Sequence, residues 1–100
     1  MKQIFRQGDV LLIETDSLPE GAKLKNNILA YGEVTGHKHQ LDNQALVYAD
    51  ANNRQYVSVE KQSILTHEEH KPITVTEGLY EVRIQREYDI VRDQVRAVMD

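Results

Sequence analysis

Apolar and polar residues along this chain come in short bursts with a period near two, the spacing of β-strands rather than helices. The clearest burst lies near the C-terminal side, where Tyr80, Val82 and Ile84 fall on one face and Glu81, Arg83 and Gln85 on the other. Asp9 to Thr15 is apolar through its middle, Val10-Leu11-Leu12-Ile13, as expected of a strand covered on both faces. Ser17-Leu18-Pro19-Glu20-Gly21 reads as a turn, since Pro presets φ and Gly accepts φ > 0. Ile28 to Thr35 is a further predicted strand, interrupted by Gly32. Ala45 to Asp50 and Gln55 to Glu60 predict a hairpin whose loop offers Asn52 or Asn53 for a left-handed residue. Ser63 to Thr66 is a short strand, and Ile73 to Thr76 with Leu79 to Tyr88 predicts a second hairpin around Glu77-Gly78. Residues 89–100 suit a short terminal strand or an irregular tail. So many short strands at close spacing predict an all-β fold, a small β-barrel or sandwich with a short C-terminal tail.

Length fits this architecture. One hundred residues make one domain, expected to span 1–100, with room for one small core. The net charge of −4 opposes nucleic acid as a partner of the whole molecule. The arginines at 83, 86, 92 and 96 are interleaved with Glu81, Glu87, Asp89 and Asp93, so no basic stacking face for single strands emerges. There is no cysteine, which excludes disulfides and thiolate metal sites and suits a reducing cytoplasm. The N-terminus lacks the apolar core of a signal peptide, and no apolar run could span a bilayer. A soluble cytoplasmic protein is the expectation.

All four histidines fall into two clusters, His37-Lys38-His39 and His67-Glu68-Glu69-His70. On a strand, positions i and i+2 share a face about 7 Å apart, so His37 and His39 can converge on one ion. His67 and His70 share a side if one helical turn forms there. Imidazole suits several divalent transition metals, with zinc preferred here and iron, manganese or nickel as alternatives. Four histidines would close a structural site; three with Glu68 or Glu69 would leave a position for water or substrate. In that second case Glu68 or Glu69 is the candidate proton acceptor. The bland alternative is a solvated polar turn over Thr66 to Lys71.

Other residues add less. Arg86 shares a strand face with Tyr80, Val82, Ile84 and Tyr88, where an unpaired charge is costly. It either reaches water from the strand end or binds an anionic substrate. The five tyrosines read as packing residues. There is no serine-nucleophile elbow, phosphate loop or dinucleotide fingerprint.

Two resemblances follow from these motifs. Gly32-Glu33-Val34-Thr35-Gly36-His37-Lys38-His39 resembles part of the first cupin motif, which implies a small β-barrel holding a metal through histidines and a glutamate. The chain departs from it: four residues rather than five separate Gly32 from His37, Asp42 stands one residue short of the acidic ligand, and the second motif's Pro-x-Gly is missing before His70. The wider set, that stretch with Leu65-Thr66-His67-Glu68-Glu69-His70 and Gln85-Arg86-Glu87-Tyr88, resembles a group of short bacterial and phage proteins with no activity to carry over.

These readings predict a metal-binding protein with His37, His39, His67 and His70 around one divalent ion. As an enzyme it would act through metal-bound water or a chelated small-molecule substrate. The alternative is a non-enzymatic phage or bacterial interaction or assembly module in which the metal is structural or absent. Exposed strand edges also suit a homodimer.

Overall fold

A computed structural model describes residues 2–31 and 36–85. They form eight strands and no helix: β1 (Ile4–Gln7), β2 (Val10–Glu14), β3 (Lys23–Lys25), β4 (Ile28–Tyr31), β5 (Lys38–Leu41), β6 (Ala45–Ala49), β7 (Gln55–Thr66) and β8 (Ile73–Ile84). Every pairing is antiparallel. The sheet order is β1-β2-β8-β7-β5-β4, with β6 also paired to β7 and β3 to β6. The result is a curled sheet, a half-barrel, in keeping with the expected small β-barrel or sandwich.

The two long strands make the curl. β7 pairs with β6 along its first half, Gln55 to Val59, and with β5 near its end, Leu65 and Thr66. Its partner on the other side is β8 throughout, with a register shift between Val59 and Gln62. The sequence pattern suggested breaks at Lys61-Gln62 and at Glu77-Gly78. The structure instead carries both strands through, and the expected hairpin around Glu77-Gly78 does not exist. The polar breaks lie opposite each other, Val59 against Gly78 and Gln62 against Thr76, and together make one bulged corner. Gly78 is required there. Its φ is +153°, and the Tyr80 hydroxyl would lie 3.1 Å from any Cβ. Tyr80 curls back over Gly78 and donates its hydroxyl to the Thr76 carbonyl at 2.8 Å, fully buried.

The concave face holds the core: Val10 and Leu12 of β2, Leu29, Leu41, Ala45, Val47, Val57, Val59, Leu65, Val75, Tyr80 and Val82. Alternation decides membership, so Ala45 and Val47 point inward while Leu46 faces solvent. The turn at Pro19 closes as expected, with the Ala22 N–H donating to the Pro19 carbonyl at 3.3 Å. Asn53 takes the left-handed conformation in the β6–β7 loop, φ +62°. β1 and β3 are too short and too polar to show a period, whereas the strand expected at His37-Lys38-His39 is met in part: β5 begins at Lys38 and carries His39, with His37 just ahead of it. The predicted Gly32-to-Thr35 end of the second strand, Arg86 and residues 89–100 lie outside the described residues. No helix among the described residues is long and apolar enough to cross a membrane.

Candidate metal centre

Three buried polar side chains stand out among the described residues: Gln7, His39 and Ser63. Two of them touch. Gln7 ends β1 with its amide pointed into the end of the core, where Nε2 donates to the carbonyls of Leu65 at 3.0 Å and Lys71 at 2.9 Å. Both amide protons are therefore used and the amide orientation is fixed. The remaining Oε1 can only accept, and it faces His39 Nδ1 at 2.9 Å. Nδ1 must carry the proton, and in the neutral ring Nε2 is left with a free lone pair. Outer partners set the tautomer of metal-ligating histidines in the same way.

His39 sits mid-way along β5 at 2% exposure. The β7–β8 connection brings His67 and His70 over it. Ring centroids are 4.3 Å apart for His39 and His67, 5.7 Å for His39 and His70, and 4.7 Å for His67 and His70. One nitrogen from each of the three lies within 4.8 Å of the others, a group able to hold a metal ion. Burial runs from His39, buried, through His67, half-buried, to His70, exposed. The site therefore opens toward solvent on the His70 side. Burial and the charge of His67 both lower the His39 pKa, with His70 adding to the effect and Asp9 opposing it. The neutral form that a ligand needs is thus favoured.

His37 stands just outside this group. Its ring meets His67 edge-on at 5.6 Å, and its Nδ1 is 3.8 Å from Glu69 Oε1. Of the two glutamates, Glu68 accepts the backbone N–H of Lys38 with both oxygens, at 2.9 and 3.2 Å. That bond holds the Glu68 carboxyl below its usual range and ties the connection to β5. The spacing expected to need a helical turn is met by bends: no helix forms over 67–70. Instead the Glu69 N–H donates to His67 Nδ1 at 3.0 Å. Binding of a metal through His67 Nε2 would require that bond to break and the proton to move to Nδ1. One such bond is worth about 0.5–1.5 kcal/mol, small against the roughly 10–16 kcal/mol of a structural zinc site.

The β1–β2 turn adds a third element to the cluster. Gln7 and Val10 pair, leaving Gly8-Asp9 as a two-residue loop. Gly8 has φ +60°, as the first central residue of a type II′ turn requires. A Cβ on Gly8 would lie 2.7 Å from His70 Nε2 and 3.3 Å from His39 Cε1. The bare glycine is what lets the His70 ring approach. Asp9 Oδ1 is 3.5 Å from His39 Nε2. The only signal in the sequence was Gly8 beside an acidic residue, ahead of the apolar run of β2.

A family model, Domain of unknown function (DUF8820), matches residues 6–85. The chain belongs to that family. The DUF8820 match takes in both ends of the site, from the β1–β2 turn to the β7–β8 connection. No curated protein shows significant similarity to the chain. No solved structure does so either.

Proposed function

We propose that this DUF8820 chain is a metal-binding protein that holds one divalent transition ion through His39, His67 and His70. The observation that carries this reading is the convergence of three imidazole nitrogens within 4.8 Å, one of them buried with its ligand lone pair set by Gln7. Zinc is the preferred ion, with iron, manganese and nickel as alternatives, imidazole donors without thiolate being suited to divalent transition metals. His37 and Glu69 lie at the rim, close enough to steer a ligand on the open side.

A catalytic role is supported by an open surface hollow of about 300 Å³ beside the cluster, lined by Gly36, Lys38, Gln40, Thr66, His67 and Glu68. A small-molecule substrate there would lie beside His67, with the Glu68 carboxylate at hand. The alternative is a bacterial or phage interaction module in which the ion is a staple. It is favoured by the positions of the ligands, since His39 and the His67–His70 pair sit on separate elements that an ion would cross-link. On either reading the chain acts as a soluble cytoplasmic protein.

The test is metal analysis of protein purified without a histidine tag and reconstituted with zinc. About one equivalent should bind to the wild type and be lost in His67→Ala and His70→Ala. Only trace metal in the reconstituted wild type would refute the proposal. Loaded protein in which all four positions are filled by side chains would favour the staple over the enzyme.

A further inference from the structure

The turn between β1 and β2 contributes three consecutive residues to the histidine cluster. Gln7 accepts from His39 Nδ1, Gly8 supplies the bare backbone against His70, and Asp9 faces His39 Nε2. We propose that Asp9 is the fourth ligand of the ion, completing a three-histidine, one-carboxylate set, and that Gln7 is the positioning residue that presents His39 to it. This rests on the reading of His39, His67 and His70 as ligands.

Distance is the first argument. An N–H···O hydrogen bond spans about 2.7–3.2 Å, so 3.5 Å between Asp9 Oδ1 and His39 Nε2 is too long for a good one. Two ligands of one tetrahedral zinc ion, each at about 2.0–2.2 Å from the metal, stand roughly 3.3–3.5 Å apart. The observed separation matches that of two atoms sharing an ion, although Asp9 stands outside the 4.8 Å histidine group and its carboxylate would have to turn toward His67 and His70 to join it.

Electrostatics is the second. With Nδ1 protonated against Gln7, the neutral His39 ring turns a lone pair toward a carboxylate oxygen. Two acceptors facing each other repel, and a cation between them reverses the sign. A carboxylate also offsets one of the two charges of a divalent ion that three neutral imidazoles would leave uncompensated. The turn is well placed to hold this geometry. Its Asp9 carbonyl accepts the Gln85 N–H at 2.6 Å, so the backbone is pinned while the carboxylate remains half-exposed. Asp9 would close the side of the ion nearest β1, and four side-chain ligands of this kind favour the staple over the enzyme.

Cobalt(II) titration of the metal-free, full-length, untagged protein tests this, read by visible absorption for geometry and by competition with a chelator for affinity. Wild type should bind cobalt with the intense bands of tetrahedral coordination. Asp9→Asn should weaken affinity by more than the roughly 10- to 100-fold typical of losing an outer partner, and should shift the bands. Asp9→Glu should recover part of both. Gln7→Leu should weaken affinity within that 10- to 100-fold range while keeping the tetrahedral bands. Nitrogen-15 spectra of the metal-free wild type should show His39 protonated at Nδ1. Circular dichroism of each metal-free variant establishes that it is folded. If wild type binds and His70→Ala does not, but Asp9→Asn keeps both affinity and bands, the Asp9 assignment is wrong while the histidine site stands. A His39 proton on Nε2 overturns the role of Gln7. No cobalt uptake by wild type overturns both readings together.

Discussion

The two halves of the histidine cluster are built in opposite ways. His39 is a strand residue, buried and locked by an amide whose own protons are already spent on Leu65 and Lys71. His67 and His70 sit on a bent connection, progressively more exposed, held by the Glu68 tether to Lys38 and a single bond to His67. One half is set before any ligand arrives; the other can adjust to it. A site made this way gains precision from the sheet and access from the loop.

The largest effect should come from joining the halves. With zinc at about a thousandfold over its Kd, binding adds about 4.1 kcal/mol, which for a chain of this size raises Tm by roughly 15–30 °C. Calorimetry with and without chelator measures it, and an unchanged Tm would mean that the halves are not bridged.

Next is His39→Ala, measured by denaturant unfolding of the metal-free protein. It empties a buried position and orphans the Gln7 oxygen, and should cost about 2–4 kcal/mol. The pH dependence of metal-free wild type sharpens the same point. Because burial lowers the folded pKa of His39 from 6.5, the unfolded chain takes up the proton first as pH falls. The contribution from neutral His39 is complete above pH 6.5 and is lost as pH falls below it. His39→Gln should flatten that slope.

Gly8→Ala comes third. A left-handed φ costs a side chain about 1–2 kcal/mol, and here the methyl also collides with His70. Stability should fall by about that much and metal affinity should fall with it. A variant with wild-type affinity would show that His70 need not approach the turn.

Away from the cluster, Asp42 serves as a control. Its carboxylate accepts from the buried Ser63 hydroxyl at 2.6 Å and from the Gln44 and Ile64 N–H groups, the Ser63 bond doing most to lower its pKa from 3.8. That stabilisation is complete above pH 3.8 and is lost as pH falls through the lower folded value. Ser63→Ala should cost about 1 kcal/mol at neutral pH, by denaturant unfolding, and leave metal affinity untouched. The smallest effect is His70→Ala in the metal-free protein, within about 0.5 kcal/mol as for other exposed sites. Its contrast with His39→Ala, equal in abolishing metal uptake and unequal in stability, is the sharpest form of the comparison.

The same division governs what could be read from the sequence. β2, β6 and the first half of β7 were legible because their apolar residues report one or two buried faces directly. The long strands were misread at Gln62 and Gly78, since a polar residue at a bulge and a glycine under a tyrosine look locally like turns. Only the pairing of the two strands reveals a corner. The histidines drew attention by chemistry alone, and His39, His67 and His70 do meet. Gln7 and Asp9 were invisible because their side-chain partners lie about thirty residues or more away along the chain. Nothing local marks a glutamine that orients an imidazole.

The tie of the cluster to the β7–β8 connection has a consequence for how the chain folds. β7 and β8 are joined by six residues, so their pairing near Leu65 and Ile73 closes the shortest loop of the long-strand ribbon. Low loop-closure entropy favours early formation of this hairpin tip, whereas β5 and the β1–β2 turn must come from far along the chain. We expect His67 and His70 to be together in the folding transition state and His39 to join late. Metal added to refolding protein should then act mainly by slowing unfolding, because the contact it strengthens is one the transition state has yet to make.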